Sequence, residues 1–306
     1  MGLFVLQRKG KGGRFANMTD AQFVEFLQDL RQHSIERIIF NDEIVLTGNA
    51  RGKKKIIECE FTKKLSCNKF AIPEDLNFDN CIFENIEFPD IGGDALHFDN
   101  CTFRETFTLH RTNLNKIWFN GCVFEKEIKI YGGSGHSVFE INKSPQRESH
   151  IKDSIRFYGN QFAYVNIRDT TVEKSIDFDN VSISSIFIAD GIYNEIGFSN
   201  QKTLKKLTIQ GDTEARDKLI VRNFHAPHLG IEGNVLFQNA QIDKMDLSYL
   251  SQNDGKLRMQ NVRLSEKLII RDSDLGRIVF NEVDLNGAKI SFDNSYIGKC
   301  IFSNVK

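Results

Sequence analysis

The sequence predicts an all-β protein whose strands form a parallel β-helix of about a dozen coils, with a short helix at the N-terminus. The first observation is a phrase with alternating apolar residues that occurs at 76–83, 96–103 and 117–124. Successive copies begin 20 and 21 residues apart, and a fixed period of this size is typical of a solenoid. The second observation is that the 306 residues include only four prolines, which suits a chain made mostly of paired strands.

A spacing of five residues divides each coil further. Phe78, Phe83 and Phe88 lie five residues apart, and a small residue such as Cys81 precedes the large one by two positions. Alternating residues of a short strand point to the same side, so the small and large residues point inward and the residue between them points outward. Four such units per coil predict a four-sided solenoid. At ~4.8 Å between paired strands, the coils predict a rod on the order of 60 Å long.

One anchor position recurs in almost every coil and predicts a single stacked row through the core. The row consists of Phe78, Phe98, Phe119, Phe139, Phe157, Phe178, Phe198, Val221, Phe237, Met259, Phe280 and Phe302. An Asn follows many anchors by two positions, where a turn needs the left-handed backbone that Asn tolerates. These residues are Asn80, Asn100, Asn180, Asn200, Asn239, Asn261 and Asn294.

The repeat resembles the pentapeptide-repeat family. The segments that carry the resemblance are Cys81-Ile82-Phe83, Cys101-Thr102-Phe103, Ala240-Gln241-Ile242, Val283-Asp284-Leu285 and Cys300-Ile301-Phe302. The resemblance covers roughly residues 76–306, and the middle position is seldom the Asp or Asn of that family. It implies a right-handed quadrilateral β-helix used as a scaffold for partners. Some members of the family mimic a DNA duplex and engage type II topoisomerases.

The N-terminal residues 1–35 are predicted to hold a basic, glycine-rich segment and a capping helix. The helix is expected at about residues 20–33, with Thr19 or Asp20 as its N-cap. Phe23, Phe26, Leu27 and Leu30 recur at helical spacing and form one apolar stripe. Such a helix would cover the open end of the first coil. The solenoid itself is predicted to occupy residues 36–306.

Two departures from the repeat have functional interpretations. The longest lies at about 131–153 and is predicted to be an insertion that leaves the rod, as binding loops of solenoids often do. The chain also ends in mid-coil at residues 300–306, with no sequence typical of a cap. We expect this coil to continue in a longer protein, to form a homodimer with a second copy, or to be covered by a partner.

Composition excludes several classes of function. Forty Lys and Arg against 41 Asp and Glu leave a net charge of -1, which argues against a nucleic-acid binder and equally against a strongly acidic DNA mimic. No stretch is apolar for long enough to predict a membrane span. The six cysteines contain no CxxC pair and no signal peptide precedes them, which predicts free thiols and a cytoplasmic location.

The residues that could carry chemistry have simpler structural interpretations. Cys81, Cys101 and Cys122 would lie along a line, whereas zinc needs ligands around a point, so we expect them to pack in the core. Asp79, Asp99 and His97 could serve a carbohydrate-acting β-helix enzyme only if two carboxylates faced each other across a groove. We therefore predict no catalytic set, no metal site and no cofactor.

What remains is an outward-facing set of residues that we predict to be a partner surface. It comprises Ile82, His97, Asp99, Trp118 and Val123 on the coils, with His136, Arg147 and His150 from the predicted insertion. The sequence thus predicts a rigid, non-catalytic scaffold for a protein partner, such as the N-terminal interaction or sensor domain of a larger protein. A topoisomerase- or DNA-related regulator and a carbohydrate-acting enzyme remain as alternatives.

Overall fold

The computed structural model describes residues 16–133, 136–159, 161–199, 203–211, 219–225, 231–248, 256–285 and 287–306. The chain is a β-solenoid of about 12 turns, which confirms the predicted fold class. Each strand pairs in parallel with the strand one coil away, and every strand pairing in the described ranges is parallel. The core therefore runs as one continuous column of apolar side chains from the helix to the last coils.

The regular elements follow one another in chain order. The first half contains β1 (Ala16–Asn17), α1 (Asp20–Gln28), β2 (Ser34–Glu36), β3 (Ile38–Phe40), β4 (Ile44–Asn49), β5 (Lys54–Ile57), β6 (Glu60–Asp79), β7 (Ile82–Pro89), β8 (Ile91–Asp99), β9 (Thr102–Phe103), β10 (Phe107–His110), β11 (Asn113–Asn120), β12 (Val123–Phe124), β13 (Ile128–Tyr131) and β14 (Val138–Asn142). The second half contains β15 (Ser149–Ile151), β16 (Ile155–Tyr158), β17 (Gln161–Asp179), β18 (Ser182–Ser199), β19 (Thr203–Gln210), β20 (Leu219–His225), β21 (Ile231–Ser248), β22 (Lys256–Arg271), β23 (Asp274–Asn281), β24 (Lys289–Asp293) and β25 (Tyr296–Ser303).

Each coil has four faces, which we number in chain order. The first face carries Phe78, Phe98 and Phe119 in register. The second carries Phe83, Phe103 and Phe124, the third Phe88, Leu109 and Ile130, and the fourth Ile72, Gly93 and Leu114. Long strands such as β6 pass through several faces.

Aromatic rings stack along the rod in the N-terminal coils. The rings of Phe98 and Phe119 are 5.1 Å apart at 5°, and those of Phe103 and Phe124 are 4.4 Å apart at 6°. All four are fully buried. Register explains the stacking, because equivalent inward positions of consecutive coils lie one strand spacing apart.

The single predicted anchor row is wrong in its middle. Phe119 pairs with Ile141 and not with Phe139, and the row then continues through Ile167, Ile188 and Ile209 to Phe237. Phe157, Phe178 and Phe198 instead stack on the third face, and Val221 lies on the second. The coil from Ile141 to Ile167 contains extra residues, and they shift the aromatic period onto another face.

The corner residues adopt the predicted left-handed backbone. Asn80 and Asn100 have φ of 55°, and Asn261 donates from its amide to Asn239 in the preceding coil at 2.8 Å. The Asn residues do not form one row, however. Asn80, Asn100, Asn239 and Asn261 follow the first face, whereas Asn180 and Asn294 follow the third, and Asn200 lies outside the described residues.

The N-terminal helix covers the first coils as predicted, although it is shorter than expected. Thr19 is the N-cap and forms a capping box with Gln22. Phe23 is buried with its ring 4.9 Å from that of Phe40. α1 ends at Gln28, so Leu30 is 59% exposed and does not belong to the buried stripe. Residues 1–15, the basic segment, lie outside the described residues.

Lys54 supports the end of the N-terminal helix. Its side chain is buried, with Nζ donating to the carbonyls of Asp29 and Gln32 and lying 5.0 Å from the Phe26 ring centroid. Burial lowers the pKa of Lys54. The lysine thus satisfies carbonyl groups that follow the helix.

The predicted insertion at about 131–153 is not a single excursion. β14 and β15 are ordinary strands paired within the stack. The residues that leave the strand pattern are 143–148 and those between β13 and β14, of which 134 and 135 are not described. In the final coil Phe302 is 57% exposed and Tyr296 69%. Pairing of this coil with a second copy stays a prediction.

Candidate functional site

The first face offers the largest regular set of outward side chains. Its strands present three outward columns, because side chains of a strand alternate. In the N-terminal coils the central column consists of Asn77, His97 and Trp118, which occupy paired positions of consecutive coils. Residues 21 positions apart in the chain are thereby placed about one strand spacing apart, roughly 4.8 Å.

His97 and Trp118 form the centre of a patch that we call the Trp118 patch, comprising Asn77, His97, Asp99, Lys116 and Trp118. The ring centroids of His97 and Trp118 are 4.4 Å apart at 88°, an edge-to-face contact. Lys116 precedes Trp118 by two residues on the same strand, and its Nζ lies 5.0 Å from the centroid of the Trp118 ring. The patch therefore combines an aromatic contact with a cation–π contact on one flat face.

Hydrogen bonds hold one edge of the patch in place. Asp99 accepts from Asn77 Nδ2 and from Asn120 Nδ2, each at 2.7 Å. Two polar atoms beside this network lack partners: the Asn77 Oδ1 acceptor and the Trp118 Nε1 donor are both buried without a hydrogen bond. A buried polar group without a hydrogen-bond partner costs about 1–3 kcal/mol. The patch therefore has one acceptor and one donor that a ligand or partner could satisfy.

His97 faces a charged depression at the N-terminal end of the patch. His97 Nε2 lies 4.0 Å from Asp75 Oδ1, and Asp75 is held by Lys53 at 2.8 Å. His33 and Lys55 also line this depression, whose volume is about 400 Å³. Burial lowers the pKa of His97, while Asp75 and Asp99 oppose that shift. The imidazole is therefore neutral at neutral pH and can either donate or accept a hydrogen bond.

The second face carries the remaining coil residues of the predicted surface. Ile82, Thr102, Val123 and His150 occupy the central outward column of four consecutive coils. The first three form a partly exposed, β-branched ladder. His150 Nε2 lies 2.7 Å from Glu173 Oε1, and both side chains are partly exposed. One corner of the coil separates this column from the Trp118 patch.

Arg147 lies across the corner between these two faces. Its guanidinium donates to the carbonyl of Gly121 and, at 2.9 Å, to the carbonyl of Cys101 two coils back. Ser144 Oγ bonds the side-chain oxygen of Asn100 at 2.6 Å. Residues 143–148 therefore fold back onto the rod, and Arg147 is half-buried in contacts within the chain. A cleft of about 260 Å³ lies beside it, lined by Glu58, Glu60, Asn80, Ile82 and Thr102 among others.

His136 is separate from the other predicted residues. It is exposed, in a turn just before β14, and contributes to neither column. Of the eight residues of the predicted surface, the fold brings together His97, Asp99 and Trp118 on one face. It brings together Ile82, Val123 and His150 on the next, with Arg147 at the corner between them.

The cysteines of the second face are packing residues. Cys59 extends the predicted row, so that four buried thiols stand at equivalent positions: Cys59, Cys81, Cys101 and Cys122. Cys101 Sγ donates to the carbonyl of Phe78 at 3.3 Å, and Cys122 Sγ to that of Phe98 at 3.2 Å. Burial raises the pKa of the Cys101 thiol. Buried, hydrogen-bonded thiols of this kind are inert.

The two predicted carboxylates occupy paired positions of consecutive coils, and each has a partner within the chain. Asp79 and Asp99 lie side by side in one column of the flat first face. Asp79 pairs with Lys55 at 2.9 Å, and Asp99 accepts the two amide bonds described above.

Two residues of the patch were missed by sequence reasoning. Lys116 and Asn77 are ordinary polar residues of a strand, and only the pairing of consecutive coils brings them against Trp118 and Asp99. The available signal was the repeat itself, since Asn77 stands one residue before Phe78, as His97 does before Phe98 and Trp118 before Phe119.

Comparisons with known proteins gave no match for the chain. No protein-family model, curated protein or solved structure matches it. In the described ranges no three His, Cys, Asp or Glu side chains cluster as metal ligands would. No helix in the same ranges has the length and apolar character to cross a membrane. The resemblance to pentapeptide-repeat proteins therefore stays a prediction from sequence.

Proposed function

We propose that the chain is a rigid, non-catalytic scaffold that binds a protein partner through the Trp118 patch. The observation that carries the proposal is the state of Trp118. Its ring is contacted by His97 and Lys116, while its indole N–H is buried without an acceptor. Tryptophan is enriched at the energetic centres of protein interfaces, where its ring is covered and its N–H finds a partner.

The side chain of Lys116 is exposed, and its ammonium lies over the Trp118 ring, so a partner can reach the group that covers the ring. A partner carboxylate or carbonyl that draws the ammonium away would uncover the indole and supply an acceptor for its N–H. A buried N–H donor without an acceptor costs about 1–3 kcal/mol. A partner that supplies the acceptor removes this cost, so the complex is stabilised without burial of further apolar area.

The solenoid supports this role because it positions the patch without flexible loops. Asn77, His97 and Trp118 each stand on a strand that is paired on both sides, on β6, β8 and β11. Side chains on such a lattice lose little conformational freedom on binding, which lowers the cost of association. A rigid display of side chains on stacked coils is typical of repeat scaffolds.

The experiment is affinity capture from native lysate with the full chain as bait, read by quantitative mass spectrometry. Trp118→Ala is expected to lose the captured partner. The matched control is Tyr158→Ala, which removes an aromatic side chain that is 51% exposed on the third face. Circular dichroism should show that both variants remain folded, because both side chains point outward.

Two results would contradict the proposal. One is a partner retained by Trp118→Ala and Tyr158→Ala alike. The other is a carbohydrate-cleaving activity that disappears in Asp99→Asn while the fold is unharmed, which would favour the enzyme. Point substitutions are sharper than deletion of residues 131–153, because that deletion would remove β14 and β15 from the core.

A further inference from the structure

The last coils carry a strip of unpaired positive charge on the first face. One outward column contains Lys206, Lys256, Arg277 and Lys299, and the backbone of Asn234 occupies the paired position between Lys206 and Lys256. Arg258 stands beside Lys256 in the central column. We call Lys206, Lys256, Arg258, Arg277 and Lys299 the basic strip. Four of these side chains are exposed and Arg277 is half-buried.

No acidic residue stands in the three outward columns of this face from Lys206 to Ser303. The central column continues with Thr208, Leu236, Val279 and Ile301, and the third column holds Gln210, Gln238, Gln260, Asn281 and Ser303. None of the five cations forms an ion pair with the described residues, and Arg277 Nε is buried without a hydrogen bond.

On the other faces of the same coils several cations are paired with carboxylates, although Lys267 and Lys289 on the third face form no ion pair with described residues. Arg263 Nε lies 3.7 Å from Asp284, Arg271 lies 3.0 Å from Asp246, and Lys244 lies 3.3 Å from Glu266. The chain as a whole has a net charge of -1. The concentration of cations on one face is therefore a local feature that the fold produces by register, and its complement is an anionic partner.

Side-chain chemistry favours an acidic protein segment over a nucleic acid. Leu236, Val279 and Ile301 are partly exposed in the central column, where Arg258 stands between Leu236 and Val279. The outward columns of this stretch contain no aromatic side chain on which a base could stack. Aliphatic groups beside and between cations match a segment that carries both apolar and acidic side chains.

The spacing favours a helix as the form of that segment. Cations on successive coils repeat at ~4.8 Å, whereas one turn of an α-helix rises 5.4 Å, so acidic residues at i, i+3/i+4 and i+7 stay near register over about four coils. The strip spans four coil steps, roughly 19 Å, which corresponds to a helix of about 13 residues. The face is five residues wide, roughly 13 Å, and accommodates a helix about 10 Å across.

We propose that the basic strip binds an acidic amphipathic helix of a protein partner. This rests on the proposed scaffold function and adds to it a second docking surface, about 100 residues along the chain from the Trp118 patch. Glu or Asp side chains would meet Lys256, Arg258, Arg277 and Lys299, and apolar side chains would lie on Leu236, Val279 and Ile301.

The test measures binding of a defined probe to the full chain by fluorescence anisotropy. The probe is a labelled peptide of about 14 residues with Glu at i, i+3/i+4 positions and Leu on the adjoining stripe. A scrambled peptide of the same composition and a labelled single-stranded oligonucleotide are measured beside it. The strip variant is Lys256→Gln/Lys299→Gln.

The control variant is Lys267→Gln/Lys289→Gln, which removes two exposed lysines from the third face of the same coils. Both variants lower the net charge by the same amount. We expect the strip variant to weaken binding of the amphipathic peptide about fivefold, because each exposed ion pair contributes little alone. The control variant should bind as the wild-type chain does.

Three results would overturn the inference: equal loss in the strip and control variants, equal binding of the scrambled peptide, or tighter binding of the oligonucleotide than of the peptide. The Trp118→Ala variant separates this inference from the proposed function. If that substitution abolishes partner capture and the wild-type chain does not bind the amphipathic peptide, the scaffold proposal stands and the basic strip proposal fails.

Discussion

The two halves of the first face share one backbone register and differ in what they present. In the N-terminal coils, Lys53 pairs with Asp75 at 2.8 Å and Lys55 with Asp79 at 2.9 Å. In the C-terminal coils, Lys256, Arg277 and Lys299 stand in the column of Asp75, and none of them forms an ion pair with a described residue. The core constrains only the inward positions, so a solenoid can change its outer surface from coil to coil without changing its fold.

The cores beneath these two surfaces also differ. The Phe98 ring contacts the rings of Phe78, Phe83, Phe103, Phe107 and Phe119. At the equivalent position of the later coils stands Met259, a flexible side chain that fills irregular space. The N-terminal coils are thus built on stacked rings, and the C-terminal coils mostly on aliphatic packing.

The largest expected effect tests that difference in the core. Phe98→Ala should lower the free energy of unfolding by about 3–5 kcal/mol, because a fully buried ring with five aromatic neighbours leaves a cavity. Met259→Ala should cost less, near the lower end of about 2–5 kcal/mol. Urea unfolding followed by circular dichroism measures both, and hydrogen exchange locates the affected coils. A cost for Met259→Ala equal to that for Phe98→Ala would contradict the comparison.

The second prediction compares two glycines, one from each half. Gly121 has φ of +59°, and a Cβ there would lie 2.4 Å from Ser144 Oγ. Gly276 has no atom within 4 Å of such a Cβ. Gly121→Ala should destabilise the chain by about 1–3 kcal/mol, the usual cost of a strained backbone position, and should loosen residues 143–148 from the corner.

Gly276→Ala is the control and should change the thermal midpoint little. Hydrogen exchange should report faster opening around Arg147 in Gly121→Ala only. Unchanged exchange there would show that the Ser144 and Arg147 contacts do not depend on the close approach at Gly121.

The smallest expected effect concerns pH. Burial holds the pKa of His97 below its ordinary value of 6.5, with Asp75 and Asp99 opposing and Lys116 assisting the shift. Between the folded and the unfolded pKa the unfolded chain binds more protons, so the stability contributed by neutral His97 is complete above pH 6.5. It is lost as the pH falls from 6.5 toward the folded pKa.

His97→Gln should remove this part of the pH dependence. The measurement is the difference in free energy of unfolding between pH 7.5 and 5.5 in the wild-type and variant chains. The wild-type chain should lose more stability over this interval. A larger loss in the variant would mean that the pKa of His97 is raised. Peptide binding to the basic strip should not change over the same interval, because lysine and arginine stay protonated.

Much of the fold was predictable because every coil must place apolar side chains inward at the same positions, and this requirement produces the sequence repeat. The phrase at residues 76–83, 96–103 and 117–124 predicted the coils, the inward Phe and Cys, and the corners at Asn80 and Asn100. The aromatic row failed after Phe119 because several faces use the same small-x-large pattern. Because residues 143–148 lengthen a coil, the sequence around the next Phe does not show which face that Phe occupies.

The candidate site was predictable only in part, for a related reason. Period-two alternation places His97 and Trp118 outward, and the coil period places them side by side. It does not show that Lys116 Nζ approaches the Trp118 ring or that Asn77 bonds Asp99. Arg147 was expected at a partner surface, yet its guanidinium bonds two backbone carbonyls, a contact between coils that the local sequence does not encode.

The sequence by itself determined that this chain is a solenoid, because only a coil that returns every 20 to 22 residues can bury so regular an apolar pattern. Tertiary structure alone decided which outward residues share a surface. Charges spread over residues 206–299 become one basic strip, and residues 77, 97 and 118 become neighbours. The physical reason is register: hydrogen bonding between coils sets which residues align, and an added residue anywhere in a coil changes the alignment of all that follow.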